Sequence, residues 1–400
     1  MMKVKMMKHS IALALMAATG PAISATTWSE ARNDAMGGTG VASSAWSSAA
    51  LVNPALMTRH GASDDVGIIL PGVGAKVSDP DNLRDGIDRV QDAWSALNAS
   101  AGTDARTQAA ALNNALRNVS GDSARAGAGV SAVVTIPNDT LPFALVIKGW
   151  GQAKARTVVT DHDLLWLDAV QNGLVPVGQQ DLNQLTSRAE GVAALVSEYG
   201  LAMAHQFSLA GMPVSVGITP KLQRVDTWNY NVSVSDYNTS DFHGGEWRRS
   251  ENGGNVDLGL SAVLTPEWTL GLTAQNLVSR DVNTLTVNDR KDTFQIRPQA
   301  TAGTSWSNGV VTLATDFDLT PASGFASDKK AQYAGVGAEV NAWDLLQVRA
   351  GYRADIRGGD QNVMTAGVGI SPFNVVHLDL TGMAGTDRRY GAVAQLTFTF

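Results

Sequence analysis

Apolar and polar residues alternate with a period of two along most of the chain after about position 66, and most clearly at its end. Tyr390, Ala392, Ala394, Leu396, Phe398 and Phe400 fall on one face, and Gly391, Val393, Gln395, Thr397 and Thr399 on the other. Successive side chains of a strand point to opposite sides, so this segment is a strand with one oily and one wet face. The same alternation predicts fourteen strands over about 66–76, 126–136, 142–153, 190–206, 213–225, 255–264, 267–277, 293–306, 309–318, 331–341, 345–355, 362–371, 374–384 and 389–400.

The connections alternate as well. Those after even strands are short, as at Thr265–Pro266 and Ser307–Asn308, and most of those after odd strands are longer, as over 77–125 and 154–189. Short turns at one end and long loops at the other belong to a transmembrane barrel, whose apolar residues face outward and polar residues inward. A soluble sandwich alternates too, but with its apolar face inward. The fold expected is therefore all-β: a 14-stranded antiparallel barrel over 66–400, with both termini on the side of the short turns. Outer-membrane lipid is its expected surroundings. Trp268, Trp306, Trp343, Phe373 and Phe400 lie near the short turns or the terminus, where aromatic rings favour a bilayer interface.

Residues 1–25 carry Lys3, Lys5 and Lys8, a short apolar run and small residues after Pro21, the pattern of a secretory signal peptide. Cleavage after Ser24 or after Ala25 fits equally, and export to the cell outer membrane follows. Residues 26–65 are rich in Gly, Ser and Ala and lack alternation. Gly37, Gly38 and Gly40 lack the flanking strand and helix of a phosphate loop. Small residues permit close backbone approach, so this stretch is expected to pack inside the barrel as a plug.

Two long loops carry helical periodicity. Asp79 and Pro80 can open a helix whose Leu83, Ile87, Val90, Trp94 and Leu97 form one stripe, and a second helix fits about 104–119. Asp161, His162 and Asp163 precede another apolar run. These helices either form a lid or docking site or bury their stripes against each other.

Composition removes several classes. The chain has no cysteine, which excludes thiolate chemistry and disulfides. Its mean hydropathy is −0.04, and no apolar run is long enough for a membrane helix. The net charge of −7 gives no basis for nucleic-acid binding. His60, His162, His205, His243 and His377 show no metal-ligand spacing, and no nucleophile motif is present, so no metal, cofactor or catalytic site is expected. Among the residues read as facing inward, Arg297, Asp316, Glu339, Arg349, Arg353 and Asp379, with Lys148, Glu198, Lys221 and Asp257, have mixed signs. Mixed signs favour a paired network that fills the lumen over a charge-selective path.

Ala35-Met-Gly-Gly-Thr-Gly-Val-Ala42, the later Asn53, Pro54 and Ala55, and the fourteen-strand pattern ending in Phe resemble the FadL-like outer-membrane transporters of hydrophobic compounds. In that superfamily the N-terminal segment is a plug. The stretches Asp65–Pro71, Thr219–Asp226, Asn341–Asp344, Arg349–Arg353, Ser371–Asp379 and Tyr390–Gln395 resemble the barrel-type TraF family of conjugal transfer proteins. The terminal pattern of Tyr390, Leu396, Phe398 and Phe400 resembles the sorting signal of outer-membrane barrels, implying the barrel assembly machinery as a partner. The TraF resemblance implies a non-enzymatic role with conjugation or secretion components. The superfamily implies the alternative, a channel for a hydrophobic small molecule.

Overall fold

The computed structural model describes residues 30–100, 103–177, 182, 184–233, 247–386 and 388–400. The expected signal peptide, the first residues of the plug and His243 lie outside them.

Fourteen strands close into an antiparallel barrel. They are β1 (Gly67–Ser78), β2 (Ser123–Ile136), β3 (Phe143–Val158), β4 (Arg188–Leu209), β5 (Met212–Ser233), β6 (Arg248–Val263) and β7 (Trp268–Gln275), then β10 (Gln299–Ser307), β11 (Val311–Asp318), β13 (Tyr333–Ala342), β14 (Leu346–Asp355), β15 (Val363–Ile370), β16 (Val376–Gly385) and β17 (Arg389–Thr399). The last strand pairs with the first, from Gly67 opposite Thr399 to Ser78 opposite Arg389, with one register shift between Ile69 and Gly72. Beyond it, the Phe400 N–H donates to the Val66 carbonyl (2.9 Å), and the Val66 N–H donates back to the Phe400 carbonyl (3.1 Å). The barrel therefore has no open strand edge, which hydrocarbon requires because it cannot satisfy free backbone groups.

The outer surface is apolar. Leu145, Ile147, Tyr199, Leu201, Leu272, Val348 and Leu380 are all exposed, and so are Tyr390 and Phe400 at the C-terminus. A continuous exposed apolar belt of this kind is a lipid-facing surface. Trp306 stands opposite Trp268 across β10 and β7. Trp343 and Phe373 project from the tips of two short turns, 91% and 94% exposed, with φ of 54° and 60°.

One expected strand proves to be two. The stretch read as 293–306 breaks at Pro298, which cannot donate to a ladder. Only β10 enters the barrel. The upstream piece, β9 (Thr293–Ile296), forms a separate three-stranded sheet with β8 (Arg280–Asn283) and β12 (Gly324–Phe325). This small sheet buries Val282, Phe294, Ile296 and Phe325 against Ala194, Val196 and Val225, with Trp150 packed alongside. Those barrel residues face inward, so the sheet is a cap inside the long-loop end of the lumen.

The loop helices are α2 (Leu83–Asn98), α3 (Thr103–Asn118) and α4 (Asp161–Gln171); α1 (Ala31–Ala35) precedes the barrel. Helix α2 starts three residues after Pro80. Asn82 occupies its cap position in a left-handed conformation, while Asp79 accepts the Leu83 N–H (2.7 Å). Leu97, Leu112, Leu116, Leu167 and Val170 share one core, with Trp94 packed against it, so the three stripes bury one another. The Asp163 carboxylate is used within the protein, accepting the N–H groups of Thr186 (2.9 Å) and Ser187 (2.5 Å). Burial alone would raise its pKa, but hydrogen bonds from Ser187 and Thr186 outweigh it and hold the carboxyl below the usual range. His162 beside it is largely exposed, and among the described residues no metal-binding cluster occurs.

Because the bundle packs on itself, Leu112→Asp should unfold it by removing a fully buried side chain, a change of about 2–5 kcal/mol. Expected are lower helical circular dichroism and rapid proteolysis within 79–122, with the unboiled protein still migrating faster than the boiled one on a denaturing gel. Loss of that mobility difference would show that the barrel depends on the bundle.

Candidate functional site: the plugged lumen

Residues 30–60 run through the inside of the barrel. Helix α1 is capped by Glu30, whose carboxylate accepts the Asn33 N–H (2.6 Å). The Ala31 N–H donates to Gln395 (3.1 Å), and Thr381 donates to the Ala31 carbonyl (2.6 Å). Thr365 donates to the Ala35 carbonyl (2.7 Å) and accepts the Gly37 N–H (2.9 Å). Asp316 accepts the Gly40 and Val41 N–H groups with one oxygen (2.7 and 2.9 Å). Asn53 donates to the carbonyls of Val41 (2.7 Å) and Leu260 (3.0 Å), while its own carbonyl oxygen caps a 3-10 turn, Pro54–Arg59, through the Ala55 N–H (3.1 Å). Further bonds join Ser47 to Thr135, Val52 to Thr273 and Gln275, Ala42 to Ser305, and Thr58 to Ser215. Together with an Arg32–Glu339 ion pair (2.8 Å), these contacts reach ten of the fourteen barrel strands.

The seam has a second, apolar part. Leu51, Val52, Leu56 and Met57 form one cluster with Ile69, Val133, Ala144, Val146, Ala202 and Ala204, the inward residues of β1–β4. At the level of this cluster the lumen wall is thus apolar, where a uniformly polar interior is the usual expectation for such barrels.

Close approach on the remaining side depends on glycine. A Cβ added at Gly217, Gly259, Gly271, Gly303, Gly335, Gly337, Gly351 or Gly367 would lie within 3.0 Å of atoms between Ala35 and Ala55. All eight sit on the lumen side of their strands, and several are cross-strand partners: Gly217 with Gly259, Gly271 with Gly303, Gly337 with Gly351. They form a belt without side chains into which the plug backbone sinks.

The inward charges divide into separate groups. Glu339, Arg349 and Asp379 form one chain, with Arg349 to Glu339 at 2.6 Å and Arg349 also bonded to Asp379, and the plug joins it through Arg32. Lys148, Glu198, Lys221 and Asp257 form another (Lys221 to Asp257, 2.8 Å; Lys221 to Glu198, 3.2 Å; Lys148 to Glu198, 3.7 Å). Arg353 stands apart from both, with its guanidinium over the Tyr333 ring (5.0 Å). Arg297 lies outside the lumen network altogether. It follows β9 and pairs with Asp281 of the small sheet (2.6 Å), because Pro298 ends the strand on which it was placed. Arg32 and the glycine belt were not among the residues expected from the sequence to act in the lumen. An apolar/polar alternation that puts glycine at inward positions on so many strands was the available signal for the belt.

Asp360, in the loop between β14 and β15, was also missed. It reaches back into the mouth to meet Arg389, Lys76 (4.0 Å) and the Tyr333 hydroxyl (2.6 Å). Burial alone would raise its carboxyl, but Lys76, Arg389 and Tyr333 outweigh that and hold it well below the usual carboxylate range.

A closed barrel with an apolar outer face and a packed interior is the architecture of outer-membrane β-barrels. The family model described as "F plasmid transfer operon, TraF, protein" matches residues 50–318, and the chain belongs to that family. The match spans the end of the plug through β11; the resembling stretches from Asn341 onward lie beyond it. No curated protein matches the sequence. Among solved structures, the Ralstonia pickettii toluene transporter TbuX is similar at 13% identity and a TM-score of 0.53, covering 96% of this chain and 99% of its own. The Pseudomonas putida toluene transporter TodX is similar at 11% and 0.53, covering 96% and 98%. The monoaromatic hydrocarbon channel CymD is similar at 10% and 0.51, covering 96% and 97%. These likenesses establish the shared fold.

Two outcomes follow from the packing. Gly351→Val places its side chain on the backbone of Gly37, so the plug should detach; expected are cleavage between residues 30 and 60 by added protease and higher conductance in planar bilayers. Unchanged conductance and protection would show that the belt does not hold the plug. For Asp360, the folded-state pKa lies below the unfolded value of about 3.9, so its contribution is present at neutral pH and is lost as pH falls through the folded value. Asp360→Asn should therefore lower stability at pH 7 by about 3–5 kcal/mol, leaving buried cations uncompensated. In thermal melts the difference from the native protein should shrink as pH falls below about 4.

Proposed function

We propose that this protein is a non-enzymatic outer-membrane component of conjugal transfer. In this reading residues 1–25 are a signal peptide, 26–65 the plug and 66–400 the barrel, with the long loops and their helical bundle on the cell surface. The C-terminal face of Tyr390, Leu396, Phe398 and Phe400 would present the strand to the barrel assembly machinery. The observation that carries the reading is membership of the TraF family together with a plug bonded around most of the lumen wall. Such a barrel is suited to displaying surface elements to conjugation or secretion components.

A second reading, a channel for a hydrophobic small molecule, is favoured by the shared fold with toluene transporters and by the apolar seam at Leu51, Leu56 and Met57. The two separate cleanly in a donor strain lacking the gene. The conjugation role predicts a lower transfer frequency, restored by the gene in trans, with growth on toluene unchanged. Unchanged transfer combined with reduced toluene uptake would overturn it in favour of the channel.

A further inference from the structure

Strands β4 and β5 run for 22 residues each, whereas about 9–11 suffice to cross the hydrocarbon. Their excess stands clear of the membrane at the long-loop end, and its inner face carries an unusual charge arrangement. Arg156 on β3, Glu190 on β4 and Asn231 on β5 are cross-strand partners in one row. Three guanidiniums converge on Glu190: Arg156 (2.6 Å), Arg188 (2.9 Å) and Arg290 (3.1 Å), the last from the loop between β8 and β9. Arg156 and Arg290 have more than half of their side chains open to solvent, at 61% and 52%, while Glu190 is at 14%. Asn231 completes the row. It is 2% exposed, and neither its amide nitrogen nor its amide oxygen has a hydrogen-bond partner.

We infer that this row is an anion-binding cradle for a phosphomonoester. Three guanidiniums against one carboxylate leave two positive charges in excess, which match the charge of about −1.5 to −2 on a phosphomonoester at neutral pH. A carboxylate ligand would leave one of them unbalanced. Each guanidinium offers five donors in a planar fork that fits phosphate oxygens, and Glu190 occupies only part of that set. Glu190 holds the three side chains in convergence before the ligand arrives, which lowers the ordering cost of binding. Asn231 supplies an N–H that burial leaves without water and that a phosphate oxygen would accept. The inference is independent of the conjugation reading, since it concerns only the mouth of the barrel.

The test is isothermal titration of the detergent-purified full-length protein with inorganic phosphate, and with acetate as the control anion. Phosphate should bind, acetate should bind at least about tenfold more weakly, and R156Q/R290Q should weaken phosphate by about tenfold or more. R290Q alone, on an exposed loop, keeps the test valid if the double variant fails to show the unboiled mobility shift. Displacement of phosphate by glucose 1-phosphate would identify a soluble sugar phosphate as the source, and displacement by lipid A micelles a phosphorylated glycolipid headgroup. Absence of phosphate binding, equal binding of acetate, or binding unaffected by the arginine variants would overturn the proposal.

Discussion

Everything in this molecule depends on the pairing of β17 with β1. A sheet whose outer face is apolar can enter a bilayer only if no backbone N–H or carbonyl is left to hydrocarbon. Closure between Gly67–Ser78 and Arg389–Thr399, extended by Phe400 to Val66, meets that condition. It also fixes a circumference of fourteen strands, and with it an interior too wide for wall side chains to fill. The plug, the small sheet and the buried ion pairs are three answers to that single consequence. Each fills a different level: the ion pairs at the wall, the plug across the middle and the short-turn end, the small sheet at the mouth.

The plug can fill its level because two kinds of surface were prepared for it. Against β1–β4 the wall offers Ile69, Val133 and Val146, and the plug meets it with Leu51, Leu56 and Met57. Against the opposite strands the wall offers no side chains at all over the glycine belt, so backbone meets backbone. Hydrogen-bond donors and acceptors of the plug would be orphaned there. Asp316, Thr365, Thr381 and Gln395 stand beside the belt and satisfy them.

Much of this was legible in the chain because a lipid-facing strand writes its environment in a period of two. Strand number, loop alternation and the outward set from Tyr390 to Phe400 follow from that period alone. The plug was legible as a lack of alternation among small residues; the capping role of Asn53 was not, since it shows only in the bond to the Ala55 N–H. What alternation cannot convey is which inward residues meet. Arg349 and Arg353 share a face of β14, yet one joins Glu339 and Asp379 while the other stacks on Tyr333, because their partners lie on strands and loops far along the sequence. Arg297 fails for a local reason. The alternation of Thr293–Ile296 continues into β10, and only the missing donor of Pro298 divides a capping strand from a barrel strand. Asp360 and Asn231 carry no periodic signature, since a loop residue and a strand end acquire their meaning only from tertiary contacts.

The two seams also differ in what separation would cost. A fully buried Leu or Met contributes about 1.5–3 kcal/mol that water cannot return once the surface is exposed. A hydrogen bond exchanged for one to water loses only about 0.5–1.5 kcal/mol. The seam along β1–β4 is therefore the more permanent attachment, and the polar seam along β10–β17 is the side where entering water could replace what it breaks. The connection at residues 60–66 ties the plug to β1 beside the permanent seam. The plug is thus anchored covalently and mainly by apolar packing on one side, and on the other by the Arg32–Glu339 pair, the Asp316 bonds and a small apolar contact of Ala31 with Val363, Met383 and Val393.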